Sequence, residues 1–599
     1  MALQIESLDS GSNYKFGDKL EIPNVPRSLF DKSHTVITTV ENQGKLQVLN
    51  WINTLPNEDD DISVDSLLRC MPMVVPPYSK SRQYIYGFWN SLANLWDNFH
   101  VFATKGYSGT LTKYIPTFND GNLAGIDTDV ILPGSLGDQL GLPIGMTRAQ
   151  LKNAQISCLS FMALLRIWRD YFVNKNYYME DRIILPDDDS RFRVDDDGQL
   201  LSAKDLGYTF LIDLFSTSKG ITRVDTAGSE SITFHNFYHE YPKDRFTSAF
   251  PSTQRGNEET LPLNISIDSN TQSLFSGLGS SVSGIGTIDR LISTTYDSKS
   301  YLKAATESNN TYTALNQTSI DSFNNIFESW LSSHPISSVT VNDLRRAFIN
   351  QRIMEKMAKT DGSFAEFALT LFGIKPRDAQ DYRATYVGGT YKDIAFTEVL
   401  KTSQNFNSDG EAEGAPVGAY AGHGITGQNN NYLGHLKSDN YGILMFMTCI
   451  MPDVYYFQGI EKKHSLHIQD DLVTPERCKL GMIPILNKEL FYQGDNGTSV
   501  GQDNYLWAYQ DYADEYRYVE NRISGKIADS TNESFFPFTT ARSFANLPNW
   551  SKEFATADNV SKRSFAAKDL EDCFSLMVHF NIRSVLPIPY RAEPATLGI

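Results

Sequence analysis

Two histidine pairs are the first candidates for chemistry. His235 and His239 lie four apart in the segment FHNFYHE, and His464 and His467 lie three apart. On a helix either spacing puts both rings on one face, where a zinc ion could be held. The metalloprotease order HExxH is absent, and no clear third ligand accompanies His464 and His467, so structural or surface histidines are the better reading. The acidic runs Asp187-Asp188-Asp189 and Asp195-Asp196-Asp197-Gly198 invite a calcium site. An EF-hand loop needs alternating oxygen ligands and a Glu six residues past its Gly. Here Arg193 stands at an early ligand position and residue 204 is Lys, so a solvated loop fits better. No GxSxG elbow or GxxxxGK[ST] loop occurs. Gly277-Leu278-Gly279 does not continue into GxGxxG, and the glycines from Gly418 to Gly434 read as a polar loop. A glycosidase carboxylate pair cannot be picked out of 71 Asp and Glu residues by presence alone. The sequence therefore indicates no catalytic residue, no cofactor and no metal: the chain reads as a non-enzyme.

The remaining candidates are basic. Lys562, Arg563, Lys568, Arg583 and Arg591 lie near the C-terminus, interleaved with Phe565, Phe574 and Tyr590. Cations beside stacking platforms can touch single-stranded DNA without reading its sequence. The same residues suit an ordinary solvated or intersubunit surface, and both readings stay open. The net charge of −18 argues against this chain alone acting as a nucleic-acid clamp, because such affinity rests on cations neutralising phosphates. Enclosed DNA would need cations or a separate basic peptide.

These residues must be positioned by a large β-rich framework. Hydrophobic residues make up 41% and aromatic residues 12% of 599 positions, enough for an extensive core and for buried contact surface. The five cysteines, Cys70, Cys158, Cys449, Cys478 and Cys573, form no CxxC pair, and an odd, sparse set fits a reducing compartment. The N-terminal stretch lacks the pattern of a secretion signal. The apolar run Ile443–Met451 is too short to span a membrane, so no membrane insertion is expected.

Residues 31–130 read as strands and turns. HTVITTV, the turn Asn42-Gln43-Gly44 and KLQVLNWI suggest a hairpin or strand pair. A helix is expected at 148–172: Thr147 and Gln150 fit a capping box, and Leu151, Ala154, Cys158, Phe161, Leu165, Trp168 and Phe172 form a stripe. A second helix is expected at 343–359. Between them, residues 264–340 are rich in Ser, Thr and Asn, with little power to build a core, and look like an exposed insertion. From 385 to 591 strands and long loops return, including a buried strand over Asp439–Met451 and an alternating one over Ser575–Ile588. Strands at both ends around a long insertion, 131–384, suggest one β-sandwich closed by the two halves of the chain.

The order of short motifs resembles the microvirus major capsid proteins. Phe30-Asp31-Lys32-Ser33-His34 with Gly44-Lys45-Leu46 resembles their opening strand pair, and Trp168-Arg169-Asp170-Tyr171-Phe172 is similar to their W-x-E-W-F-R-D segment. Lys243-Asp244-Arg245-Phe246-Thr247-Ser248-Ala249-Phe250-Pro251 resembles K-R-H-D-Y-F-T-S-x-L-P with the middle altered. Leu344-Arg345-Arg346-Ala347-Phe348 with Gln351 and Glu355, and Phe372-Gly373-Ile374 with Tyr386-Val387-Gly388-Gly389, follow in order. Asn487-Lys488-Glu489-Leu490-Phe491 and Tyr509-Gln510-Asp511-Tyr512-Ala513-Asp514-Glu515-Tyr516-Arg517-Tyr518 complete the series, with Tyr512 where the family has Trp. Collinear matches run from 30 to 525; residues 264–340 and the C-terminal segment match poorly.

The resemblance implies a mainly β fold: an eight-stranded antiparallel jelly roll of viral capsid type, with long loop insertions and a few α-helices. It implies a homo-oligomer, pentamers joining into a T=1 icosahedral shell of sixty subunits around circular single-stranded DNA. It further implies a small basic DNA-binding peptide, scaffolding and pilot proteins, assembly in a bacterial cytoplasm, and a host receptor met by a protrusion such as 264–340. The alternative is a jelly-roll protein that binds or cleaves carbohydrate.

Overall fold

The computed structural model describes chiefly residues 25–106, 113–173, 208–254, 341–374, 383–400, 420–494, 502–566 and 572–591, short gaps aside, with isolated strand segments elsewhere. Ten strands form the main sheet: β1 (Ser28–Asp31), β2 (His34–Val40), β3 (Gln47–Thr54), β4 (Glu58–Cys70), β5 (Ser81–Ser91), β6 (Thr385–Asp393), β7 (Ala395–Leu400), β8 (Tyr420–Ser438), β9 (Gly442–Pro452) and β10 (Phe574–Leu586). β1 and β2 are two pieces of one strand, both paired to β10. The break between them is a side-chain turn in which Ser33 N–H donates to the Asp31 carboxylate at 2.9 Å.

Neighbours run β1/β2–β10–β4–β8–β6–β5–β9–β3, all antiparallel, with β7 on the first part of β8. The pairing is nested: first strand with last, β3 with β9, β4 with β8, β5 with β6. A long hairpin rolled upon itself has this order, and it defines an eight-stranded jelly roll.

β9 shows why the core is double. Every residue of β9 is buried. Leu444, Phe446 and Ile450 enter the sandwich interior with Ile62, Val64, Ile85, Val578 and Phe580. Ile443, Met445, Met447, Cys449 and Met451 enter a second core on the opposite face, with Phe161, Leu165 and Trp168. A strand covered on both faces has no polar side to alternate with, hence the unbroken apolar run. β10 is covered on one face only, and its burial alternates from Phe574 to Leu586.

The helix expected at 148–172 is two helices. α1 (Arg148–Asn153) starts on the Thr147–Gln150 capping box, and α2 (Leu159–Ile167) continues into one π turn, Trp168–Phe172. Between them Gln155 has φ +51. Phe118 N–H donates to Ile156 O and Cys158 N–H to Pro116 O, so pairing with 116–118 pulls the chain out of the helix. All of α2 is buried. The second expected helix is α3 (Val341–Ala358), followed by α4 (Phe364–Phe372).

Two further expectations are corrected. β2 and β3 are not a hairpin: β2 pairs β10 and β3 pairs β9, so the Gly44 turn, at φ +87, carries the chain from one end of the strand order to the other. The glycines of Gly418–Gly434 are not in a loop: those from Gly422 onward lie in β8. There glycine admits a crowding neighbour, since a Cβ on Gly424 would stand 2.4 Å from Cys70 Sγ.

Residues Gln254–Met357 form a compact unit distinct from the rest of the chain. It holds a sheet of Arg290–Tyr296, Lys299–Ala305 and Thr313–Ala314 and most of α3. Apart from those three strands, the candidate protrusion 264–340 lies outside the described residues.

Candidate nucleic-acid interface

β10 separates the basic residues. Arg583 sits in its C-terminal part, in register with Asp31 of β1 and Asp61 of β4. It lines a polar hollow of about 620 Å³ with both carboxylates, Asn430, Tyr432 and Asn581. Hydrogen bonds from Ser33 hold the Asp31 carboxyl below its usual range, and the Arg583 charge adds to this. Arg583 therefore already faces anions, which weakens it as a phosphate contact. Arg591 is exposed just past β10, beside Tyr590, whose ring stacks on Phe30 at 5.7 Å. Lys568 lies outside the described residues.

Lys562 and Arg563 lie before the other end of β10, where Phe565 packs edge-on against Phe574 at 5.5 Å. Nine residue steps along the strand separate Phe574 from Arg583, about 30 Å. The four described basic residues, Lys562, Arg563, Arg583 and Arg591, are therefore not one patch. Arg563 is held by the segment that leads into Arg542: Nε donates to Thr539 O at 2.6 Å, an Nη to Ala541 O at 2.8 Å, and the guanidinium lies over Phe536 at 3.9 Å. Burial pushes it down to about 10.

The sequence reading missed Arg542. Its guanidinium sits among Phe554, Tyr241, Phe544 and Tyr456, with ring centroids 4.2, 4.5, 5.2 and 5.9 Å away. It donates to Phe554 O at 2.7 Å and reaches Tyr456 Oη at 3.5 Å. Among the described residues neither Arg542 nor Arg563 makes an ion pair. Local sequence carries little signal for this cage, because two of its four rings lie far from residue 542 in the chain.

The histidines serve other ends. Residues 235 and 239 are not on a helix, since a strand, Ser231–His235, ends at the first. His239 is half-buried against Phe172, its ring 4.9 Å away, and desolvation lowers its pKa. His464 and His467 are exposed on turns. Among the described residues no group of three or more His, Cys, Asp or Glu could hold a metal. The acidic runs at 187–189 and 195–197 lie outside the described residues.

The family described as "Capsid protein (F protein)" matches residues 20–596. This chain belongs to the capsid F-protein family. Its relatives include capsid protein VP1 of Chlamydia phage 1, 22% identical with 96% of each chain covered. VP1 of Spiroplasma virus 4 is 23% identical over 95% of each, and VP1 of Bdellovibrio phage phiMH2K is 24% identical over 98% of this chain and 99% of its own. As a member of the capsid F-protein family the chain is a structural subunit of a virion shell, not an enzyme. The carbohydrate alternative is set aside. Among the described residues no helix is long and apolar enough to cross a membrane.

Proposed function

We propose that sixty copies of this chain, organised as pentamers, close a T=1 icosahedral shell around circular single-stranded DNA. The nested jelly roll is the observation that carries this reading: it is a rigid block whose loops leave from both ends and can meet neighbours around several symmetry axes. The exposed apolar surface of the single chain supports it. Ile37 is 77% exposed, Phe372 69% and Phe348 66%, apolar side chains that contacts between subunits would cover. Repeated weak contacts of this kind add up only on closure.

The charge of −18 assigns most genome neutralisation to a small basic peptide, with Lys562 and Arg563 as auxiliary contacts and Lys568, Arg583 and Arg591 as weaker candidates. Scaffolding and pilot proteins complete the proposed set, with assembly in the host cytoplasm. Residues 264–340 are the proposed host-contacting protrusion. Electron microscopy of particles, with extraction and nuclease typing of their nucleic acid, tests the reading. Small icosahedral particles with nuclease-sensitive single-stranded DNA support it; empty or non-icosahedral assemblies refute it. Deleting 264–340 should leave assembly intact and abolish adsorption; unchanged adsorption would refute the receptor role.

A further inference from the structure

A polar cleft of about 530 Å³ opens between the loop that carries Arg542 and the one that carries Arg563. Tyr241, Phe544, Asn549 and Asn559 line it with the two arginines. The volume falls within the roughly 300–1,000 Å³ of sites for small organic ligands. Each guanidinium has five N–H donors. Two on each are used, on three backbone carbonyls and one phenol oxygen. The rest are not spent on a carboxylate, although the chain carries 71 acidic residues against 53 basic. Glu553, at the rim, is solvent-exposed.

Arginine held without an acidic partner is costly unless something anionic completes it, and its planar fork suits phosphate oxygens. Here both forks are fixed in advance by carbonyls and rings, so little ordering remains to be done on binding. Phe544 is half-buried at the wall and offers an aromatic face, while the exposed amide of Asn549 supplies a donor and an acceptor of the kind a base edge needs, and Asn559, whose Nδ2 donates to the Asp558 carboxylate at 2.9 Å, offers its amide oxygen. An acidic peptide would use the charges but not the ring and amides.

We infer that the cleft between Arg542 and Arg563 binds a nucleotide, with phosphate on the guanidinium groups and the base against the aromatic wall. The inference rests on the reading that the shell encloses single-stranded DNA, and it names one place of contact. It requires no sequence preference, since any base has a face to stack.

The test uses the full-length unassembled chain. Calorimetry measures binding of dTMP and of inorganic phosphate, and fluorescence anisotropy measures binding of a labelled oligo-dT. Ser543→Asp and Asn559→Asp each add a carboxylate to the cleft wall while leaving the arginine contacts in place; Ser543→Ala is the neutral control. Binding of dTMP that is tighter than phosphate, weakened about tenfold or more by each Asp variant and unchanged in the Ala variant, is the expected result. Equal binding of phosphate and dTMP would overturn the nucleotide assignment. So would oligo-dT binding that neither Asp variant alters, or no dTMP binding at all. These outcomes leave enclosure of DNA standing, because that is judged separately by the nucleic acid extracted from particles.

Discussion

Arg245 and Glu489, far apart in the chain, form a buried ion pair, each side chain 3% exposed. The same guanidinium donates from Nε to Gln510 Oε1 at 2.6 Å and lies 3.3 Å from Glu520. Three motif segments that carry the family resemblance, around 243–251, 487–491 and 509–518, therefore meet at one arginine. The backbone repeats the tie: Phe250 and Tyr509 exchange two hydrogen bonds of 2.8 Å each.

Arg245→Met should cost about 3–5 kcal/mol, because it leaves the Glu489 carboxylate buried without its cation. The double variant Arg245→Met/Glu489→Leu should recover a large part of that loss. Urea denaturation of the unassembled chain, compared across the single and double variants, measures both. A double variant as unstable as the single would refute the ion-pair account.

Phe446 of β9 and Phe580 of β10 stack across the sandwich with centroids 4.3 Å apart, both fully buried. Truncating either to Ala should destabilise the chain by about 3–5 kcal/mol through lost burial and the cavity left. Phe580→Leu should cost less. The fall in Tm of the unassembled chain, read by circular dichroism, ranks the three.

Gly388 of β6 pairs with Gly434 of β8, where the two halves of the roll join. A Cβ on Gly388 would stand 1.9 Å from Leu433 O, and one on Gly434 would stand 2.5 Å from Val387 O. Neither obstacle is a flexible side chain. Gly388→Ala should therefore prevent a stable fold, whereas Gly109→Ala, with open space around its Cβ, should cost far less despite its positive φ. Soluble yield and resistance to limited proteolysis distinguish the two.

Asp60 of β4 is 1% exposed, and burial, with the charge of Glu58 nearby, pushes its carboxyl up to about 6. A raised acid favours the folded state when protonated. Its contribution is present below about pH 4 and is lost as pH rises through 6. Asp60→Asn should then stabilise the chain by about 1–3 kcal/mol at pH 8 and hardly at all at pH 4. Denaturation midpoints of variant and wild type between those pH values check the sign: a gain confined to low pH would contradict it.

Elements covered on one face were the legible ones. β10 alternates as its sequence does, and the capping box of α1 forms as the Thr147–Gln150 spacing dictates. What depended on partners distant in sequence was not legible. The turn at Gly44 was visible, but not that its flanking strands lie at opposite ends of the sheet's strand order. The break at Gln155 follows from pairing with 116–118, which the helical stripe does not reveal. The glycines of β8 read as loop because their purpose, close approach of neighbouring strands, exists only once the sheet is assembled. The candidate site divided in the same way: Arg563 was picked out by local composition, whereas Arg542 is defined by rings at 241, 456, 544 and 554.

Electron cryomicroscopy of intact particles is the most direct test of the shell reading. The account predicts one icosahedral shell with sixty copies of this chain, the jelly roll of β1–β10 in each, and single-stranded DNA within. A shell with another copy number, or particles in which this chain is a minor component, would contradict it.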